Sequence, residues 1–411
     1  MKYIQRCMED TFLNLQREYP VVLVTGARQV GKTTMLEKIL GEEQGSRTRV
    51  SLDDLNTRQL AKNDPAMFFQ INAPPIYIDE VQYAPELFPY IKLHVDKHHR
   101  PGDFWLTGSQ LFKLMDGVQE SLAGRVALLH MPPLTQSEIN RNADLTPFRI
   151  DTDILTDRQN TTGSKSITDI YQQIFTGGMP ALVSGQYSNR DAFYSSYLST
   201  YLERDVKEQS GTIDSLKFMN FITATASITG NLLNYKVIAE NSDIDQKTAK
   251  SWLRILESLG IIFYLHPYAG NTLKRLVKTP KLYFFDTGLV AYLTKWSNAE
   301  TLQNGALSGS ILENFVISEI AKGYMNIALE PFIYYYRDKD SKEIDVIMER
   351  DGVIHPIEIK KTSIPGSQLT GVFKLLDKPN LPKRGAGAVI CMVDKLGALD
   401  RNNLLIPVWL I

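Results

Sequence analysis

Gly26, Gly31, Lys32 and Thr33 stand in GARQVGKT at the spacing G-x-x-x-x-G-K-[ST], between the apolar run VVLVT and the amphipathic run KTTMLEKIL, which Gly41 stops. Glycines at that spacing let main-chain N–H groups close around an anion at the positive end of a helix. Gly26, Ala27, Arg28, Gln29, Val30, Gly31 and Thr34 are therefore expected to cradle a polyphosphate. Lys32 would reach its outer phosphates, and the Thr33 hydroxyl would ligate magnesium. The alternative, a chance glycine-rich strand-to-helix turn, is weaker because both flanking elements are present. A second apolar run, IYIDE, ends in two acids. Asp79 suits a magnesium ion held through water, and Glu80 suits a carboxylate that orients and deprotonates an attacking water. The run ending LTGSQ brings Thr107 and Ser109 to the same sheet edge, where a hydroxyl feels the terminal phosphate. The chemistry expected here is magnesium-dependent ATP hydrolysis.

A second constellation lies in EIDVIMERDGVIHPIEIK. Asp351-Gly352 is a two-residue hairpin signal. With that turn, Asp345 faces Glu358, Glu343 faces Lys360, and all four collect on one side of the ladder. Ile344, Val346, Ile357 and Ile359 take the other side, toward a core. Opposed carboxylates repel unless a cation lies between them. An aspartate followed by glutamate-x-lysine on the neighbouring strand resembles the restriction-endonuclease-like nucleases, in which carboxylates hold magnesium and the lysine activates water. Such folds often draw a further carboxylate from a preceding helix. Glu313 in SILENFVISEIA lies among Val316, Ile317 and Ile320 on the helical wheel, and the resemblance selects it over Glu319. The metal-ligand set implied is Glu313, Asp345 and Glu358, with Lys360 catalytic. No proline precedes Asp345, a departure from the usual form of that motif. A surface hairpin with a wet Asp345, and a nuclease fold that binds nucleic acid without cutting it, stay open beside this reading.

The elements that position these groups form an α/β chain in three pieces. The 411 residues exceed one hydrophobic core, and alternating strands and helices over 1–140 read as a parallel sheet. The strands are PVVLVTG, RVSLDDL, PPIYIDEV, DFWLTGSQ and RVALLHM. Residues 141–167 are polar and without period, a linker or excursion. Over 168–299 a helical region contains a short helix, a turn and a second helix from Lys247 to Leu259, then an apolar strand and a basic stretch with Lys274, Arg275, Lys278 and Lys281. That order is the winged-helix pattern, and Gln246, Lys247, Lys250 and Arg254 offer DNA backbone contacts. A connector role with solvated lysines is the equal alternative. Residues 300–411 read as an α+β unit. A net charge of -1, from 45 basic and 46 acidic residues, excludes a globally cationic nucleic-acid coat but not a local basic groove. Two distant cysteines suggest a reducing cytoplasm. The charged N-terminus lacks a signal-peptide core, and no apolar run reaches membrane length, so a soluble protein with no membrane partner is expected.

The helix LFKLMDGVQESLAG ends in Arg125, just before RVALLHM. Phosphate loop, strand-end Asp-Glu, polar strand tip and arginine before the fifth strand together resemble AAA-type P-loop ATPases. The resemblance implies that Arg125 is a catalytic finger reaching a neighbour's nucleotide, and therefore a homo-oligomer. Pairing with the dipole of its own helix is the equal alternative. TGARQVGKTT, YIDEVQ, LTGSQ, SLAGRV, GGMP, YLERDV, FFDTGL and LENFV further resemble one prokaryotic ATPase family that ends in a domain of unknown function. In YLERDV, Arg204 is a candidate nucleotide contact, with a structural ion pair the preferred role.

Overall fold

Five of the apolar runs become the strands of one sheet in a computed structural model, which describes residues 3–43, 45–109, 121–142, 146–211, 214–269, 279–379 and 381–411. Strands β1 (Val21–Thr25), β2 (Thr48–Ser51), β3 (Ile76–Asp79), β4 (Phe104–Thr107) and β5 (Val126–His130) are all parallel, in the order β2-β3-β4-β1-β5. Positions in β1, β3 and β4 are all buried, because both faces of the sheet are covered and no solvated side remains for a polar residue. The loop after β1 runs into helix Lys32–Glu42. The acids of IYIDE close β3, so loop and acids meet at the carboxyl edge of the sheet.

The stretch 141–167 is less irregular than its composition suggests. It carries helix Thr152–Thr161, capped by the Asp151 carboxylate and anchored by buried Leu155. Arg158 ties that helix to the carbonyls of Leu410 and Thr146. A polar helix with one apolar anchor leaves little periodicity to read, and tertiary bonds supply the rest.

In the middle region, helices Ser215–Ser227, Tyr235–Ser242 and Gln246–Ser258 precede an antiparallel ribbon of β6 (Ile262–Leu265) and β7 (Lys281–Phe284). Asn234 and Asp245 cap the second and third helices by accepting backbone N–H bonds. Trp252 packs edge-on against Phe218 and Phe221. Lys274, Arg275 and Lys278 lie outside the described residues.

The C-terminal region is a mixed sheet of β8 (Ile333–Arg337), β9 (Glu343–Arg350), β10 (Val353–Lys360), β11 (Lys383–Arg384), β12 (Gly387–Cys391), β13 (Gly397–Asp400) and β14 (Asn403–Pro407). Its order is β13-β14-β12-β10-β9-β8, with β11 on β10. Asp351 and Gly352 both take positive φ, 51° and 74°, as a two-residue turn between twisted strands requires. The register runs from Val353 opposite Arg350 to Ile357 opposite Val346, as the turn predicts.

On the other side of β9, Tyr334 faces Ile347 while Tyr336 faces Ile344. One extra residue is thus accommodated at Asp345–Val346, a bulge that breaks the expected alternation. Ile344 buries with Ile347, Ile354 and Phe373, whereas Val346 buries with Met348, Ile357 and Ile359. Helix Ser308–Asn326 packs on β10 and touches β5 and β7 as well. One apolar cluster runs from Val22 and Leu129 through Leu256 and Phe284 to Ile357 and Ile406, so the three regions share a continuous core.

Candidate functional site

At Gly26, with φ of 133°, an added Cβ would sit 2.2 Å from the Met131 carbonyl oxygen, so only glycine lets β1 turn there. Gly31, at φ 98°, caps helix Lys32–Glu42 without a side chain in the way. Lys32 is buried, and its Nζ folds back on its own loop, 2.9 Å from the Gly26 oxygen and 2.8 Å from the Ala27 oxygen. Burial lowers its pKa to about 8, against the pull of Glu80. A buried ammonium satisfied only by neutral carbonyls is one that a phosphate would hold better. The loop fits a polyphosphate.

Around it the acids are held by hydroxyls. Asp79 Oδ1 accepts from Thr33 Oγ1 at 3.0 Å and Tyr77 OH at 3.1 Å, and from the Thr107 hydroxyl. Thr33 and Asp79 therefore stand where one metal would contact both, directly or through water, and the donor set fits magnesium. Glu80 adopts a left-handed φ of 57°, a conformation that strains a non-glycine residue. Its N–H donates to Thr107 Oγ1 at 3.2 Å, and Oε2 accepts from Ser109 Oγ at 3.2 Å and from the Gln82 amide. Ser109 is brought to Glu80, as its place on the strand edge implied. Gln82 was hidden in sequence because glutamine carries no charge pattern.

Two further arms reach the loop. Arg6 is buried and donates to the Val30 oxygen at 2.6 Å and the Pro132 oxygen at 2.7 Å, while pairing with Glu138 at 3.0 Å. Arg28 forms a two-pronged pair with buried Asp205, at 2.7 and 3.0 Å. Asp205 is thus the member of YLERDV that touches the phosphate loop, and Arg204 bonds Tyr83 OH at 3.3 Å. A small cleft lined by Tyr3, Ile4, Gly31, Thr34, Leu134 and Pro180 opens beside the loop. Arg125 is paired with Asp96 of its own chain at 2.5 and 3.0 Å, both at the surface.

GGMP and FFDTGL meet at Asp286. Its carboxylate accepts from Gly178 N at 2.7 Å, Tyr194 OH at 2.7 Å and Leu289 N at 2.8 Å. An added Cβ at Gly177 would come within 2.5 Å of that carboxylate. Just before it, Phe285 N donates to the Ile261 oxygen at 3.1 Å, and Ile261, Gly260, Phe285 and Ala27 line one small cavity.

The C-terminal charges gather at the end of the β9–β10 ladder. Beyond Val346 the Asp345 carboxylate takes the N–H of Ile359 at 2.8 Å, in the position a ladder carbonyl would occupy. Lys360 Nζ lies 2.8 Å from Asp345 Oδ2 and 2.7 Å from Glu358 Oε2. Glu343 does not meet Lys360 as the simple register implied. It turns to Lys281 of β7, 2.5 Å away, because the ladder has already opened at Asp345. Lys281 also pairs with Glu313 at 2.9 Å, and Tyr283 OH donates to the same Glu313 oxygen at 2.6 Å.

Burial raises the Glu313 pKa, with Lys281 opposing and Asp345 adding to the rise. Burial and the Asp345 charge push Glu358 up to about 8. Its Oε1 is buried without a partner. Glu313, Asp345, Glu358 and Lys360 are therefore brought together, with Lys281 and Tyr283 added from outside the C-terminal region. Glu319 is elsewhere, accepting from Gln136 N at 2.7 Å and paired with Lys322. Among the described residues no group of three or more His, Cys, Asp or Glu side chains is arranged to hold a metal ion. As folded, the cluster does not fit a divalent ion: each carboxylate already has an oxygen bonded to an ammonium, although Glu358 Oε1 is left unpartnered.

Family models match all three regions: an AAA domain over residues 18–140, a domain of unknown function (DUF8612) over 167–300 and another (DUF4143) over 308–411. The uncharacterized proteins Mb2031c of Mycobacterium bovis and Rv2008c of Mycobacterium tuberculosis are each 30% identical over 348 residues, which is 84% of this chain and 71% of theirs. A looser likeness is to the Walker-type ATPase PABY2304 of Pyrococcus abyssi, 14% identical over 70% of this chain and 95% of that one, with a TM-score of 0.45. No helix among the described residues is long and apolar enough to cross a membrane.

Proposed function

The chain belongs to the family of the two mycobacterial proteins, and from that premise we propose that it is a magnesium-dependent ATPase whose nucleotide state acts on a DNA-interacting C-terminal region. The observation that carries the reading is the meeting of Lys32, Thr33, Asp79 and Glu80 at one sheet edge. When bound, Mg-ATP supplies the scissile phosphate and the metal that neutralises it. Lys32, now on the carbonyls of Gly26 and Ala27, would hold phosphate oxygens. Thr33 and Asp79 would hold the metal. Glu80, fixed by Ser109 and Gln82, accepts the proton of the attacking water. Binding of labelled ATP with magnesium, and its loss in Lys32→Ala, tests this directly. Unchanged uptake in that variant would overturn it.

The downstream half rests on exposed Gln246, Lys247, Lys250 and Arg254 along one helix, followed by the β6–β7 ribbon in the manner of a winged helix. Duplex DNA binding that weakens with salt is the expected behaviour. Arg125 serves a neighbouring copy's nucleotide in a homo-oligomer, a role its surface position permits. The two buried free cysteines suit a cytoplasmic home. A second reading, in which the C-terminal region binds but does not cut, is favoured by one specific observation: Glu313, the carboxylate drawn from the preceding helix, is paired with Lys281 of the middle region. Magnesium-dependent cleavage by the parent chain that is absent in an Asp345→Ala, Glu358→Ala double variant would decide for cutting.

A further inference from the structure

The cluster consists of two acid pairs, each bridged by one ammonium: Glu313 and Glu343 by Lys281, and Asp345 and Glu358 by Lys360. The two bridges differ in kind. Lys360 is part of the glutamate-x-lysine pattern, and its side chain is 37% exposed. Lys281 comes from the middle region, its side chain is 4% exposed, and it is anchored at every side. Its strand pairs with β6, Leu282 N bonds the Asn231 oxygen at 3.2 Å, and Tyr335 OH holds the Thr279 oxygen two residues before it. Tyr283, on the same face of β7, fixes the Glu313 carboxylate toward it. The Tyr335 ring stands 5.7 Å from Nζ. With β7 fixed, burial and the two acid partners hold the Lys281 stem in place.

We infer that Lys281 is a built-in counter-ion that holds the place of a divalent cation at Glu313, so that the C-terminal cluster is closed to metal by its own chain. This rests on the reading of Asp345, Glu358 and Lys360 as a nuclease-type acid site. A divalent ion on Glu313 needs an oxygen at about 2.1 Å, and an ammonium already bonded to that oxygen repels it at close range in a buried setting. Four carboxylates facing two ammoniums are formally two positive charges short, and removing one ammonium makes that three. The added deficit, beside an oxygen set free, is what would draw a cation in.

The test is Mn2+ binding to the full chain without nucleotide, followed by the electron paramagnetic resonance of free Mn2+. Lys281→Met, which keeps the stem and removes the charge, is expected to bind one Mn2+ at least about tenfold more tightly than the parent. Lys281→Arg is expected to behave as the parent, and adding Asp345→Asn to Lys281→Met should abolish the gain. Equal or weaker binding by Lys281→Met overturns the inference. Glu313→Gln, made in the parent chain, decides the matter even if Lys281→Met does not fold. Unchanged Mn2+ affinity supports an oxygen already taken, and weakened affinity overturns it.

The acid-site reading fails separately. If the tighter Mn2+ binding of Lys281→Met is indifferent to Asp345→Asn, the site is not a metal site at all and both statements fall. If it depends on Asp345 but not on Lys281, only the counter-ion falls.

Discussion

Two sites in this molecule gather carboxylates on sheet ends, and they treat them in opposite ways. At the nucleotide edge, Asp79 and Glu80 are held by Thr33, Tyr77, Thr107 and Ser109, all neutral donors, while the nearby Lys32 is turned onto carbonyl oxygens. In the C-terminal cluster, Glu313, Glu343, Asp345 and Glu358 are held by Lys281 and Lys360. The hydroxyl-held acids face donors that carry no charge. The ammonium-held acids share two lysines of their own chain among four carboxylates. The same residue types at similar strand positions thus meet neutral donors at one edge and ammoniums of their own chain at the other.

The contrast can be broken at its strongest point by Glu80→Gln. ATP turnover should fall by roughly 10²- to 10⁴-fold while labelled ATP still binds, because the variant keeps the loop and loses only the proton acceptor. Steady-state hydrolysis beside equilibrium binding checks this, and equal losses in both would mean that Glu80 serves binding instead. Next comes stability. Removing a buried partner from an ion pair leaves the other charge uncompensated, so Lys281→Met should lower unfolding stability by about 3 kcal/mol in urea titrations. Lys32→Ala, which unbalances no carboxylate pair, should lower it by less. A reversed ranking would dissolve the distinction.

The two regions should also respond to pH with opposite sign. His130, buried beside Lys32 and bonded to Thr25 Oγ1 at 2.9 Å, has its pKa lowered by burial to about 4. A depressed histidine contributes stability above its ordinary value near 6.5 that is lost as pH falls toward 4. Glu358 is raised from 4.5 to about 8, so its contribution is present at low pH and is lost as pH rises through that window. Thermal melts of His130→Gln should flatten the acid limb, and those of Glu358→Gln the alkaline limb. The smallest effect is expected at Arg125. Its exposed pair with Asp96 should leave the melting temperature of Arg125→Ala unchanged. A drop in ATPase rate in that variant, rising with protein concentration in the parent, would mark a role across copies.

What could be read in advance follows from range. The phosphate loop, the five parallel strands and the Asp351-Gly352 turn are local patterns: continuous apolar runs, glycines at fixed offsets, a dipeptide that accepts positive φ. Asp345, Glu358 and Lys360 were also within reach, because a hairpin of known turn fixes its register. Lys281 and Tyr283 were not. They meet Glu313 across 32 and 30 residues of chain, and nothing in PKLYFF sets either of them toward an acid. Asp205 was overlooked for the same reason, since its partner Arg28 lies in another region. The bulge at Asp345 escaped because alternation assumes an uninterrupted ladder.

Strand β7 has a reach that its length conceals. Lys281 begins it among the acids, and by Phe285 and Asp286 the chain is already against Gly178 and the cavity shared with Ala27 of the phosphate loop. Six extended residues span only roughly 17 Å. A rod so short cannot be pushed at one tip and stay still at the other. Crowding placed at Gly260, where a Cβ at φ 69° would sit 3.1 Å from His130 Nε2, would be felt by an ammonium at the other end of that rod.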